Sequence, residues 1–191
     1  MAQNTLQSAY IDLIANGDFT HALTLKPNAM GGQAAGPVSR ISSSGDRYTL
    51  CAPRVSLAQK ASAQREISYT NDALFSRLER FAMLFDRRLV GRRFNEPKNR
   101  HLRTKFVAVA EGNTTNGHLH CAIKVHPERS AKFSAMCSAD EGGSIANVCW
   151  IKVSQGGTLV VKEIDDPRGW GAYMVKSLFG EHRSDRVRFI N

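Results

Sequence analysis

The sequence predicts a single α+β domain in which helices flank an antiparallel sheet of about five strands. Three observations favour this class. Several short segments alternate apolar and polar residues, turn-forming runs join some of them as hairpins, and helical patterns occur before, between and after them. A chain of 191 residues is long enough for one domain with a substantial core.

The first third of the chain contains one helix pattern, one strand pattern and a long insertion. Apolar residues at helical spacing end at Asn16-Gly17, and Phe19 to Lys26 then alternates as a strand. From about 28 to 64 the sequence is basic and rich in Gly, Ala and Ser, with one brief strand pattern at Tyr48 to Leu50. We expect a mobile loop there, either a flap over nucleic acid or an ordinary solvated insertion.

The middle of the chain contains a long amphipathic helix and a hairpin. The helix is capped by Thr70 or Asn71, ends near Gly91, and repeats apolar residues every three or four positions. Phe106 to Glu111 and Gly117 to Val125 are strand patterns separated by turn formers. A short segment containing Phe133 and Met136 is expected to be helical.

The last third is predicted to add a second hairpin and a final helix. Asn147 to Val153 and Thr158 to Ile164 are strand patterns joined by a glycine-containing turn. Asp165-Asp166-Pro167 opens a helix that ends at Gly180. We expect all helices on one side of the sheet, and the last helix to bury one stripe: Ala172, Val175, Leu178 and Phe179.

Composition constrains the partner and the compartment. A net charge of +9 and a pI of 9.7 indicate an anionic partner, with nucleic acid as the first candidate. No apolar run approaches the roughly 20 residues of a membrane span, and the N-terminus has no signal-peptide pattern. We therefore expect a cytoplasmic protein that is not secreted. The four cysteines form no C-x-x-C pair, and Cys121 and Cys149 are predicted to be reduced core residues.

Basic residues are concentrated where the long helix ends. Eight of them lie within nineteen positions, and we interpret them as a track for phosphates, although cations also favour helix C-termini. On the first strand, Thr24 and Lys26 share the polar face, where they meet either a phosphate backbone or solvent. The basic residues of the track are Arg87, Arg88, Arg92, Arg93, Lys98, Arg100, Arg103 and Lys105.

The second strand of the hairpin carries the strongest chemical signal. Its alternation places His118 and His120 on one face and apolar residues on the other. If the six-residue loop closes symmetrically, Glu111 lies opposite His118 and beside His120. A carboxylate and two imidazoles without a thiolate suit Mn²⁺ or Mg²⁺, although two histidines beside a loop also occur as ordinary solvated residues.

In the order of its motifs, the chain resembles the HUH endonucleases of the replication-initiator (Rep) type. Three segments carry the resemblance: ALTLKP at 22–27, GHLHCAIKV at 117–125, and Y-x-x-K, in which Tyr173 and Lys176 stand three apart on the final helix. Glu111 occupies the place of the family's upstream acidic ligand. The resemblance implies a ferredoxin/RRM-like sheet, Mn²⁺ or Mg²⁺ as cofactor, and His118, His120 and Glu111 as its ligands.

The resemblance also implies a reaction and its participants. Tyr173 attacks a phosphate of single-stranded DNA and forms a 5′-phosphotyrosyl link, and Lys176 lies near that phosphate. The substrate is a single strand or an origin hairpin in rolling-circle replication, conjugation or transposition. Ser177 stands where two-tyrosine members carry a second tyrosine, and Ala22 replaces an aromatic residue common in the first motif.

The same resemblance leaves other functions to weigh. No P-loop pattern occurs, so we expect no helicase domain here, and any helicase or host replication protein acts as a separate partner. The main alternative is a non-catalytic module that binds single-stranded nucleic acid. A two-histidine phosphodiesterase does not fit, because that class needs two separate His-x-Thr/Ser motifs.

Overall fold

One antiparallel five-stranded sheet forms the centre of the protein. The computed structural model describes residues 2–27, 39–41, 47–49, 70–112, 116–138, 143–176, 178 and 184–191. The sheet consists of β1 (His21–Lys26), β4 (Lys105–Glu111), β5 (His118–Lys124), β6 (Thr158–Glu163) and β7 (Val187–Ile190), in the order β6-β1-β5-β4-β7. A separate pair contains β2 (Ser39–Ile41) and β3 (Arg47–Thr49).

Five α-helices accompany these strands in the part of the chain that the structure describes. They are α1 (Ala2–Asn16), α2 (Asn71–Leu89), α3 (Ser130–Cys137), α4 (Ile145–Val153) and α5 (Pro167–Val175). Short 3-10 helices occupy Pro97–Leu102, Pro127–Arg129 and Ser184–Arg186. None of these helices is both long and apolar enough to cross a membrane. The predicted class, an antiparallel five-stranded sheet with flanking helices, is confirmed.

Helices cover both faces of the sheet, so the expectation that all of them lie on one side was wrong. Phe106, Cys121 and Leu23 face one apolar cluster with α2, α3 and α4. Val107, Val109 and Ala122 face a second cluster with α1 and α5. The reason is that β4 is apolar on both faces and Ala122 of β5 adds to its second apolar face, so each face requires a cover.

The predicted strand at Asn147 to Val153 is instead the helix α4, so the second predicted hairpin does not exist. Ser144 caps the helix by accepting the backbone N–H of Asn147 at 3.0 Å. Ala146, Cys149 and Trp150 are buried at helical spacing. The short, mostly apolar segment at 147–153 fits both the strand period of 2 and the helix period of 3.6. The serine cap and the helical spacing of the buried residues favour the helix. The fifth strand is β7, a C-terminal segment for which no strand was predicted.

The stripe predicted for the final helix is partly correct. Val175 and Leu178 are buried as predicted, but Ala172 is exposed, and Gly171 and Met174 are buried in addition. A Cβ atom on Gly171 would lie 3.2 Å from the Cα of Ile11, so glycine at this position lets α5 pack closely on α1. The helix cap is Asp166, which accepts the N–H of Gly169 at 2.9 Å.

Some predictions fall partly or wholly outside the described residues. The insertion at 28–64 is described only at β2 and β3, where the brief strand predicted near Tyr48 is found. The final helix ends at Val175, before the predicted end at Gly180, and Phe179 and Gly180 themselves lie outside the described residues. Cys121 and Cys149 are buried free thiols, as predicted.

A buried carboxylate joins α2 to the start of β4. Asp86 is fully buried and accepts hydrogen bonds from the backbone N–H of Thr104 at 3.0 Å, the hydroxyl of Thr104 at 2.8 Å and Nε of Arg103 at 3.2 Å. Arg103 was predicted to belong to the phosphate track, but its side chain is only 17% exposed and is paired with this carboxylate. Its main role is therefore to hold the helix on the sheet.

We expect Asp86→Ala to lower the free energy of unfolding by about 3–5 kcal/mol, because it leaves a partly buried guanidinium and a buried hydroxyl without their acceptor. Urea denaturation measures this change. The matched control is Asp72→Ala on the same helix, whose carboxylate is 88% exposed beside Arg188 and should contribute less than about 1 kcal/mol. Equal losses in the two variants would contradict the structural role of Asp86.

Candidate metal centre

The register of the β4–β5 hairpin brings three ligand side chains together. Glu111 pairs with His118, and Val109 pairs with His120, as the symmetric loop predicted. Because side chains alternate along a strand, Glu111, His118 and His120 all project from the face that α1 and α5 partly cover. The sequence prediction of this constellation is confirmed as a spatial cluster.

The distances within the cluster suit a small divalent cation. Oε2 of Glu111 lies 3.1 Å from Nε2 of His120 and 3.6 Å from Nε2 of His118. Neighbouring ligands on an octahedral ion with bonds of about 2.1 Å lie about 3 Å apart. One ligand atom from each residue lies within 4.8 Å of the others, so the three residues could hold one metal ion.

Two buried atoms in the cluster, Oε2 of Glu111 and Nε2 of His120, face each other at 3.1 Å but are not aligned as a hydrogen bond, and neither has another partner. Buried polar atoms are nearly always satisfied, and an unsatisfied pair of this kind needs an explanation. A shared cation would satisfy both atoms at once, which is why we regard the residues as fitting a metal.

His120 stays neutral in the metal-free protein. Burial, together with the nearby His118, lowers its pKa from 6.5 to about 4, although Glu111 opposes the shift. A neutral imidazole has a lone pair to offer to a metal. Above about pH 5, metal binding therefore does not have to displace a proton from this ring.

This pKa predicts how the stability of the metal-free protein depends on pH. The unfolded chain protonates His120 near pH 6.5 and the folded protein only near 4. The neutral His120 ring therefore makes its full contribution to the free energy of unfolding above pH 6.5. As the pH falls towards 4, the free energy of unfolding decreases by about 2–3 kcal/mol. Urea denaturation in EDTA between pH 4 and 7.5 measures the loss.

The control for this measurement is a matched pair of histidine variants. His120→Asn should flatten the pH dependence between 6.5 and 4, and His101→Asn, which changes an exposed histidine, should leave it intact. An unchanged dependence in His120→Asn would show that other groups cause the loss of stability.

Helix α5 places two aromatic side chains against the cluster. The ring centroid of Tyr173 lies 4.9 Å from that of His120, and the two rings meet edge to face. Trp170 stacks on Tyr173 with the ring centroids 5.2 Å apart. Trp170 also contacts His120, at 5.8 Å. Tyr173 is 42% exposed, so a ligand in solvent can reach its ring. Trp170 was not among the predicted site residues, although its position three residues before Tyr173 on a helix was a usable signal.

Lys176 links the tyrosine to the carboxylate. Its Nζ lies 3.3 Å from Oε1 of Glu111 and 3.8 Å from the centre of the Tyr173 ring. Slight desolvation lowers the pKa of Lys176, but the contacts with Tyr173 and Glu111 outweigh it and the net shift is upward. Lys176 therefore remains a cation beside the tyrosine and leaves Oε2 of Glu111 facing the histidines.

The two β1 residues predicted to contact phosphates differ in their surroundings. Thr24 lies directly opposite His120 on the neighbouring strand, and its Oγ1 is 3.2 Å from Nδ1 of that histidine. Lys26 is exposed two residues further on, opposite Thr158 of β6. Only Thr24 contacts a member of the metal cluster directly.

The basic segment lies at the other end of the sheet from the cluster. Lys105 and Glu111 are the first and last residues of β4, which separates them by about 20 Å along the strand. Of the eight predicted track residues all except Arg103 are exposed. Glu96 pairs with two of them, Arg93 at 3.3 Å and Lys98 at 3.6 Å. The structure therefore does not bring the track next to the metal ligands.

Comparison with known proteins found no family model, no curated protein and no solved structure that matches this chain.

Proposed function

We propose that this protein is a metal-dependent endonuclease that nicks and rejoins single-stranded DNA through a phosphotyrosyl intermediate. The observation that carries the proposal is the contact between Tyr173 and His120. An exposed phenol lies against a three-residue cluster suited to a cation, with a lysine ammonium over its ring. These are the parts that phosphoryl transfer to a tyrosine requires.

The proposed reaction exchanges one phosphate ester for another. The hydroxyl oxygen of Tyr173 attacks the phosphorus, a P–O bond to tyrosine forms, and the bond to the 3′-oxygen breaks. The phenolic proton is transferred overall to the released 3′-hydroxyl. Because the new link is also a phosphodiester, the reverse attack by a 3′-hydroxyl rejoins the strand without an energy source.

The neighbouring side chains have defined roles in this proposal. A divalent cation, Mn²⁺ or Mg²⁺, would be held by Glu111, His118 and His120 and would supply positive charge at a phosphate oxygen. Lys176 provides a second positive charge beside Tyr173. Trp170 stacks on Tyr173 and limits the orientations of its ring.

The proposal extends to biological context through the resemblance to Rep-type HUH nucleases. The substrate would be a single strand or an origin hairpin of a replicon that uses rolling-circle replication, with a helicase and host replication proteins as separate partners. The order of the three motifs supports this assignment, as does their meeting at the cluster, where Thr24, Tyr173 and Lys176 each contact one of its members.

The direct test is incubation with labelled single-stranded DNA and Mn²⁺, followed by a denaturing gel. We expect a band of DNA covalently attached to protein that disappears when EDTA replaces the metal. A pool containing many sequences and hairpins serves as substrate, since the target sequence is not specified by the site. DNA that binds but is never cleaved across this pool would favour the non-catalytic binding module instead.

The distance between the track and the cluster predicts a two-part binding surface. Lys105, the end of the track on β4, is already about 20 Å from Glu111, and α2 covers the face of the sheet opposite the cluster. A strand that contacts both the cluster and the arginines at the end of α2 must therefore span more than about 20 Å, or more than about six nucleotides at the 3.4 Å rise of one strand in B-DNA. Changing two exposed arginines, Arg87 and Arg92, to alanine should reduce the magnitude of the log Kd against log salt slope by about 1.4 for single-stranded DNA. Titration at several salt concentrations measures this slope.

A basic residue outside the track provides the control for the salt titration. Arg188 pairs with Asp72 near the first turn of α2, the end opposite Arg87, and Arg188→Ala should leave the slope unchanged. If the double variant and this control have the same slope, the phosphates do not lie on the track.

A further inference from the structure

We infer that Thr24 is a positioning residue of the metal centre, which holds His120 in the orientation and tautomer that the metal requires. The inference deepens the proposed function and rests on its metal site. It gives Thr24 a different task from the phosphate contact suggested by its place on the polar face of β1.

The first step of the argument is the hydrogen bond between the two residues. Oγ1 of Thr24 lies 3.2 Å from Nδ1 of His120, and the two residues are directly paired across β1 and β5. Threonine is branched at Cβ and has few side-chain conformations on a strand, so its hydroxyl is held in place. This hydrogen bond therefore restrains the rotation of the imidazole ring about the Cβ–Cγ bond of His120.

The second step concerns the proton on the ring. Nε2 of His120 faces Oε2 of Glu111 at 3.1 Å, and both atoms are buried, poorly aligned for a hydrogen bond with each other and without another partner. A neutral histidine that binds metal through Nε2 must carry its proton on Nδ1. The hydroxyl oxygen of Thr24 can accept a hydrogen bond from this Nδ1–H group, since a hydroxyl is an acceptor as well as a donor.

The third step is that His120 depends on its Nδ1 partner, Thr24, more than His118 depends on its own Nδ1 partner. His120 is only 4% exposed, so water has little access to replace the threonine. Nδ1 of His118 lies 3.2 Å from the backbone oxygen of Asn116, in an exposed position that solvent can reach. Outer hydrogen-bond partners of metal-bound histidines typically contribute a factor of about 10 to 100 in metal affinity.

The test is the affinity of the protein for Mn²⁺ alone, measured by isothermal titration calorimetry without DNA. Thr24→Val keeps the size and branching of the side chain but removes the hydroxyl, and we expect Mn²⁺ binding to weaken about 10- to 100-fold. Thr24→Ser restores the hydroxyl and should return the affinity to within a few fold of wild type.

A second threonine–histidine pair provides a matched control. Oγ1 of Thr20 lies 2.8 Å from Nδ1 of His21, whose ring contacts Phe133 on the opposite face of the sheet from the cluster. Thr20→Val should leave Mn²⁺ affinity unchanged. Equal affinity of Thr24→Val and wild type would overturn the role of Thr24, whereas a wild-type protein that binds no Mn²⁺ would overturn the metal site as well.

A measurement on the wild-type protein covers the case in which Thr24→Val does not fold. The ¹⁵N chemical shifts of the His120 ring distinguish the two neutral tautomers. Since metal bound through Nε2 places the proton on Nδ1 in any case, the informative spectrum is that of the metal-free protein in EDTA, in which we expect the proton on Nδ1 already, beside Thr24. A proton on Nε2 in the metal-free protein would contradict the inference.

Discussion

Replacing Tyr173 with phenylalanine should reduce formation of the covalent DNA–protein adduct at least about 10³-fold, because it removes the only atom proposed to attack phosphorus. The ring itself remains. Its stack on Trp170 and the position of the Lys176 ammonium over the ring face do not require the hydroxyl oxygen, so the fold and DNA binding should be preserved. The substitution also removes the hydrogen bond between Lys176 and that oxygen, but Lys176 keeps its ion pair with Glu111. The measurement is adduct yield on a denaturing gel, together with the Kd for the same oligonucleotide.

The control for this substitution is Tyr10→Phe. Tyr10 stacks on Phe189 at the β7 edge of the sheet and has no place in the proposed reaction. The Tyr10→Phe variant should retain the full yield of the DNA–protein adduct. Since Ser177 stands where two-tyrosine enzymes carry their second tyrosine, mass spectrometry should find one adduct per chain, on Tyr173. Adduct formation by Tyr173→Phe at the wild-type rate would exclude the proposed nucleophile.

The second large effect is expected for His120→Ala, which should weaken Mn²⁺ binding at least about 100-fold and abolish metal-dependent cleavage. This variant removes the most buried of the three ligands and leaves Oε2 of Glu111 without its nearest neighbour. Calorimetry with Mn²⁺ and the gel assay measure the two effects independently.

Two variants separate the loss of a ligand from a loss of structure. His120→Asn fills more of the ring's space, which reduces the packing defect against Trp170 and Tyr173. His101→Ala changes an exposed histidine of the 3-10 helix at Pro97–Leu102 and should bind Mn²⁺ normally. Wild-type metal affinity in both His120 variants would remove His120 from the site.

The ligand cluster was predictable because its geometry depends on local pairing. In an antiparallel hairpin, the loop length determines which residues face each other, so Glu111 and His118 could be paired from the sequence alone. The amphipathic helix α2 was equally accessible, since its buried residues repeat over nineteen residues and Thr70 caps its start. Both features involve residues close together in the chain.

The errors occurred where a local pattern was short or ambiguous. The apolar run that forms α4 is too short for its period to separate helix from strand. β7 is a four-residue edge strand, and its pairing with β4 joins residues about 80 positions apart. Arg103 resembled its basic neighbours in sequence, and only the buried Asp86 beside it reveals that it is a structural partner.

The sequence by itself determined the class of fold, the basic character of the protein and the three residues that could hold a metal, because each follows from composition, periodicity or a single hairpin. The tertiary structure alone decided how α5 packs across the sheet, so that Trp170, Tyr173 and Lys176 contact a cluster formed more than fifty residues earlier. It also decided that Thr24 lies beside His120 and that the basic track lies at the far end of β4. These relations depend on packing between distant segments, and no local pattern in the chain encodes them.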